Sequence, residues 1–111
     1  MIDIWDYNDA DIVRITDIDG REYTGHVQDV TDVGEESEDY GFGEDSITIS
    51  DGQTGVVLGQ SEIVSIEILR INKIDVQSWI KSMQGLGFSK DAIDRRVAIY
   101  LDAERRGAVV A

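Results

Sequence analysis

The sequence predicts a mainly β fold with α: a five-stranded, strongly bent small barrel over residues 1–71, followed by a C-terminal α-helical hairpin over residues 72–111. Three observations support this prediction. Short runs in which β-branched and polar residues alternate fill the chain up to about residue 70, as expected for strands. Asp-Gly pairs, which are typical of tight turns, separate several of these runs. Beyond residue 75, apolar residues recur at intervals of three and four, which is the spacing of an amphipathic helix.

The first part of the chain divides into five short strands. They are predicted at residues 12–16, 22–30, 46–50, 55–59 and 63–69. Asp19-Gly20 and Asp51-Gly52 supply two of the turns between them. Gly25 interrupts the second strand, which predicts a sharp bend or a bulge at that point. A meander this short closes most readily into a barrel, because open strand edges invite aggregation.

The second part has the pattern of two helices. Asp75 and Ser89 are candidate N-caps, and Gly107 fits the position that ends the second helix. The apolar positions of the two helices are Val76, Trp79, Ile80, Met83, Ile93, Val97, Tyr100 and Leu101. A hairpin of this size is too small to fold by itself. We therefore expect its apolar stripe to pack either on the barrel or on a neighbouring subunit.

The charge of the chain is divided as sharply as its secondary structure. Residues 1–71 hold 18 acidic residues against three arginines, a formal charge of −15, whereas residues 72–111 hold five acidic against seven basic residues, a charge of +2. A surface this negative repels phosphate, so we do not expect nucleic acid to bind through the barrel. The acidity favours solubility, attraction of a basic partner, or mimicry of nucleic-acid charge.

Composition excludes several kinds of site. The chain has no cysteine and one histidine, so disulfides, thiolate metal sites and multi-histidine metal sites are ruled out. No serine–histidine–acid pattern, phosphate-binding glycine loop or calcium loop is present in the sequence. We therefore expect no enzymatic activity, no cofactor and no metal. The sequence also lacks a long apolar run and a signal core, which predicts a cytoplasmic protein that does not enter a membrane.

Two segments carry a family resemblance. Val13–Val27 combines an apolar strand, a turn with a glycine, an aromatic residue and a glycine within the bent second strand. Leu58–Leu69 has a short turn that joins the last two strands. With Ile2–Tyr7 as a short N-terminal helix, residues 2–70 resemble the bacterial Sm-like (LSm-domain) proteins. This resemblance implies a five-stranded barrel of the SH3-like kind, possible ring assembly, and uridine-rich RNA as the typical ligand.

The chain departs from the Sm pattern where that family binds RNA. The segment after the second strand, Asp29–Gly34, has no asparagine on which bases would stack. The turn before the final strand, Leu58–Ser61, has no basic residue. We therefore carry over the fold from the resemblance and not the RNA site.

Two groups of residues are candidates for binding a partner. The first is an acidic segment that would bind a basic surface, with two aromatic residues as anchors. Its residues are Glu35, Glu36, Glu38, Asp39, Tyr40 and Phe42. The second is Arg95 and Arg96 on the exposed face of the hairpin.

The sequence therefore predicts a non-enzymatic interaction or adaptor module that self-associates. It would bind a protein partner through the acidic loop and the hairpin, and the acidity of the loop favours a basic partner. Two alternatives stay open. One is a nucleic-acid mimic that occupies the basic groove of a nucleic-acid enzyme, and the other is an Sm-type ring that binds RNA through basic residues of the hairpin.

Overall fold

The computed structural model describes residues 2–33 and 43–111. These residues form six strands, two α-helices and two 3₁₀ helices, η1 and η2. In chain order the elements are η1 (Ile4–Tyr7), β1 (Ile12–Asp17), β2 (Glu22–Thr31), β3 (Ser46–Ser50), β4 (Gly55–Gly59), η2 (Gln60–Glu62), β5 (Ile63–Asn72), α1 (Val76–Gly85), α2 (Lys90–Arg105) and β6 (Val109–Val110).

The strands form one sheet in the order β4-β3-β2-β1-β5-β6. All neighbours are antiparallel except β5 and β6, which run parallel. The prediction of five strands is wrong by one: β6 was missed because a two-residue strand shows no alternation. Within the described residues the sheet is open, with β4 and β6 at its edges, so the predicted closure into a barrel is not part of what the structure shows.

Gly25 allows β2 and β3 to approach closely where β2 changes its partner. The first half of β2 pairs with β1 and the second half with β3, and the β2–β3 register shifts between Val27 and Asp29. A Cβ atom on Gly25 would lie 2.6 Å from the carbonyl oxygen of Ser50. An irregularity in this strand is confirmed, but it lies at residues 27–29 and not at Gly25 itself. What glycine permits at position 25 is the close backbone approach to Ser50.

The core lies between the sheet, η1 and α2. Its buried apolar residues are Ile4, Tyr7, Ala10, Val13, Ile15, Val30, Ile47, Ile49, Leu58, Ile63, Ile66, Ile68, Ile71, Tyr100, Ala103 and Ala108. The last three come from the C-terminal part of the chain. The hairpin therefore packs on the sheet of its own chain, which decides between the two placements that the sequence left open.

Polar contacts also tie the hairpin to the sheet. The backbone N–H of Ile74 donates to the Tyr100 hydroxyl at 3.0 Å, and the Arg106 guanidinium donates to the carbonyl of Ile68 at 3.0 Å. The chain then returns to the sheet, where β6 pairs with the end of β5. The division into two domains at residues 71 and 72 stays a prediction. No helix in the described part of the chain is both long enough and apolar enough to cross a membrane.

Asp17, at the end of β1, is a buried carboxylate that organises the turn into β2. Its oxygens accept hydrogen bonds from the backbone N–H groups of Asp19 and Arg21, both at 2.9 Å, and from the Tyr23 hydroxyl at 3.1 Å. Burial by itself raises the pKa of Asp17, but these hydrogen bonds outweigh it and hold the pKa below its ordinary value of 3.8.

We expect Gly25→Ala to lower the free energy of unfolding by about 1–3 kcal/mol, because the added Cβ forces the β2 and β3 backbones apart. Gly55→Ala is the matched control, since its Cβ would meet only an ordinary contact at 3.8 Å from the Ile49 carbonyl. Urea denaturation of both variants measures the difference. Equal stabilities of the two variants would contradict the close approach.

The Asp17 hydrogen bonds predict how stability depends on pH. Because the pKa of Asp17 is lower in the folded chain, its ionised form stabilises the fold above pH 3.8, and this contribution is lost as pH falls toward the folded pKa. We expect Asp17→Asn to be less stable at pH 7 and to lose less stability on acidification. The exposed Asp9→Asn variant is the control. Parallel stability curves for Asp17→Asn and the unmodified chain would refute the prediction.

Candidate functional site

The hairpin is built by two helices with similar start and stop signals. The Asp75 carboxylate accepts from the Ser78 N–H, and the Ser89 hydroxyl accepts from the Ala92 N–H, so both predicted N-caps are confirmed. Gly87 and Gly107 follow the two helices with φ values of +85° and +80°. Such left-handed residues close the last turns and let the chain reverse direction. These local signals set the two helices side by side.

A groove of about 570 Å³ runs along the hairpin. All of the described residues that line it belong to the hairpin: Ile80, Gln84, Phe88, Lys90, Ile93, Asp94, Val97, Ala98 and Leu101. Ile93 is buried at its base, whereas Phe88 and Leu101 remain 37% and 42% exposed. An apolar groove with partly exposed large side chains is typical of a surface that binds another protein segment.

The polar groups of the groove lie at its rim. The Lys90 ammonium donates to the Asp94 carboxylate at 2.8 Å, and this hydrogen bond raises the pKa of Lys90. Gln84 is the other polar residue that lines the groove. In the described residues, no three His, Asp or Glu side chains lie close enough together to hold a metal ion. The arrangement suits binding of apolar side chains, with Lys90, Asp94 and Gln84 available to fix their orientation.

A buried carboxylate holds the hairpin against the N-terminal helix. The side chain of Asp6 in η1 is 4% exposed, and its two oxygens lie 3.0 Å from Arg95 Nε and 3.2 Å from Arg96 Nε. The Arg96 guanidinium also lies 4.5 Å from the centre of the Phe88 ring. A cation in this position attracts the face of the ring. Asp6 therefore holds α2 against η1. Through Arg96 it also helps to hold the Phe88 ring, which forms one wall of the groove.

The structure places two of the residues proposed to bind a partner. Arg95 and Arg96 both form ion pairs with Asp6 of the same chain. The expected exposed position is wrong for Arg96, whose side chain is only 14% exposed. The other candidates, which are Glu35, Glu36, Glu38, Asp39, Tyr40 and Phe42, lie outside the described residues. Partner binding by all eight stays a prediction.

The sequence pattern identifies Ile80, Ile93, Val97 and Leu101 as apolar helix positions, but it does not show that they line a groove. Tyr100 and Leu101 were placed in one stripe, but Tyr100 is buried in the core and Leu101 opens into the groove. Adjacent residues on a helix point about 100° apart. An apolar stripe that includes both residues is therefore wide enough to pack on the sheet and also to line a groove. The width of the stripe is the feature of the sequence that could have indicated the groove.

We expect Asp6→Asn to lower the free energy of unfolding by about 2–3 kcal/mol, because it leaves the largely buried guanidinium of Arg96 without its carboxylate. Arg70→Gln is the control: it removes a partly exposed ion pair with Asp11 outside the hairpin and should cost about 0.5 kcal/mol or less. Chemical denaturation at pH 7 measures both. A similar small loss in the two variants would show that Asp6 does not anchor the hairpin.

Comparison with family models, curated proteins and solved structures finds no match to this chain. The resemblance of Val13–Val27 and Leu58–Leu69 to Sm-like proteins accordingly stays a prediction. The evidence on function therefore comes from the structure of the hairpin and its groove.

Proposed function

We propose that this chain is a non-enzymatic, cytoplasmic interaction module in which the sheet is the scaffold and the hairpin groove binds a protein segment. The observation that carries the proposal is the apolar groove itself, in which Phe88 and Leu101 lie close together on the hairpin and both remain partly exposed. Leaving large apolar side chains in water is unfavourable, and covering them on binding favours association.

We also propose that the sheet belongs to an Sm-like small barrel. Three features support this proposal. Strands β1 to β4 form an antiparallel meander, η2 leads into β5, and β5 returns beside β1. The register of β2 shifts just after Gly25, and η1 precedes the first strand. A small barrel of this kind positions the hairpin on one side and leaves the groove free.

Protein is a better candidate ligand than RNA because most basic residues of the hairpin already lie beside a carboxylate of the same chain. Of the seven basic residues in 72–111, five lie within 4 Å of a carboxylate oxygen: Lys90, Arg95, Arg96, Arg105 and Arg106. Nucleic-acid binding requires cations that are free to contact phosphate. The acidic segment at Glu35, Glu36, Glu38 and Asp39 is proposed as a second surface for a basic partner.

A photo-crosslinking amino acid in place of Leu101 tests the proposed function. Because Leu101 opens into the groove, we expect light to join it to a bound protein in cells, giving a band heavier than 12.3 kDa. The measurement is the mass and identity of the adduct.

The matched control places the same amino acid at Ser65, which is exposed on β5 and does not line the groove. An adduct at position 101 and none at position 65 supports the groove as the binding surface. No adduct at position 101, or equal adducts at both positions, would refute it.

A further inference from the structure

One face of α2 carries a regularly spaced and exposed stripe. Asp94, Ala98, Leu101 and Arg105 follow one another at intervals of four, three and four residues. Asp94 is 60% exposed, Leu101 42% and Arg105 77%, and Ala98 is exposed as well. Intervals of this kind are those of a helix that packs along a second helix. The stripe lies across α2 from Ala103, which is buried in the core.

The stripe is complementary to a copy of itself that runs in the opposite direction. When the second copy of α2 runs antiparallel to the first, Asp94 of one copy lies opposite Arg105 of the other. Ala98 of one copy then lies opposite Leu101 of the other. The two ends then pair opposite charges. In the middle, the large side chain of Leu101 meets the smallest residue of the stripe, which lets the helices approach closely.

We propose that the occupant of the groove is a second copy of this chain, with the two α2 helices antiparallel. The two-fold axis crosses α2 at the level of residues 99 and 100, midway between Asp94 and Arg105. This inference rests on the proposed function, because it names the partner of the same groove. Two-fold symmetry makes each contact occur twice, which is the arrangement of most protein dimers. The two hairpins together form a four-helix bundle, and its interior is formed by Ile80, Ile93 and Val97 of both copies.

The distribution of charge selects this face for self-association. Residues 1–71 carry a formal charge of −15, so two copies that met through their sheets would repel strongly. Residues 72–111 carry only +2. Contact through the hairpins leaves the two acidic sheets at opposite ends of the dimer, where distance and salt reduce their repulsion.

The charges at the ends of the stripe are available for such pairing. Asp94 is engaged by Lys90, and Arg105 lies 3.2 Å from Asp102, but both pairs are exposed and lie within one helix. Ion pairs of this kind add little to stability. Exchanging them for pairs across the dimer therefore costs little.

Charge reversal tests the proposed register. We expect Asp94→Arg and Arg105→Asp each to weaken self-association about tenfold or more, because each places like charges opposite each other at both ends of the stripe. An equimolar mixture of the two variants should recover association as a heterodimer, since every facing pair is then of opposite sign. The doubly substituted chain should associate with itself. Sedimentation equilibrium measures the dissociation constants.

Asp9→Arg is the matched control, because it changes net charge by the same amount as Asp94→Arg at an exposed position outside the hairpin. It should leave the dissociation constant within about threefold of the unmodified value. Circular dichroism confirms that each variant is folded. Unchanged association of the single variants, or failure of the mixture to recover, would overturn the register.

The outcomes separate this inference from the proposed function. If the unmodified chain sediments as a monomer while crosslinking at position 101 captures a different protein, the second copy is the wrong occupant and the groove remains a binding surface. If the chain is monomeric and no adduct forms, both proposals fail. An adduct whose mass is twice that of the chain, together with recovery in the mixture, supports both.

Discussion

The placement of the hairpin depends on one buried carboxylate. Asp6 comes from a 3₁₀ helix at the start of the chain, and Arg95 and Arg96 come from α2, about 90 residues later. A buried carboxylate is costly unless it is paired, so the two guanidinium groups and the carboxylate stabilise one another in a single arrangement. The same rotation of α2 that brings Arg95 and Arg96 to Asp6 also places Ala103 in the core and leaves Leu101 facing outward.

The contact with Asp6 also removes Arg95 and Arg96 from the set of basic residues that could bind phosphate. The composition of residues 72–111 is that of a weakly basic patch, yet Arg95 and Arg96 neutralise acidic residues of their own chain. The hairpin therefore presents an apolar surface with mixed charges at its rim. This is the surface that we propose binds a protein partner, and its charges would complement those of an inverted copy of itself.

Much of the fold was readable because local signals specify it. The N-caps Asp75 and Ser89, the stop at Gly107 and the strands around Asp19-Gly20 are set by residues within a few positions of one another. The groove could not be predicted from the sequence to the same extent. The sequence identifies four of its lining residues, Ile80, Ile93, Val97 and Leu101, as apolar helix positions. Whether a helix face meets the sheet, a neighbour or water depends on contacts that are distant in the sequence.

The sequence by itself determined the order of the first five strands and the two helices, the helix caps and the division of charge, because turn chemistry, periodicity and composition act over short range. Only the tertiary structure decided that β6 extends the sheet, that the hairpin packs in its own chain, and that Arg95 and Arg96 are used internally. These outcomes depend on which surfaces meet. Two strand residues, or one carboxylate and two distant arginines, acquire their roles only when folding brings them together.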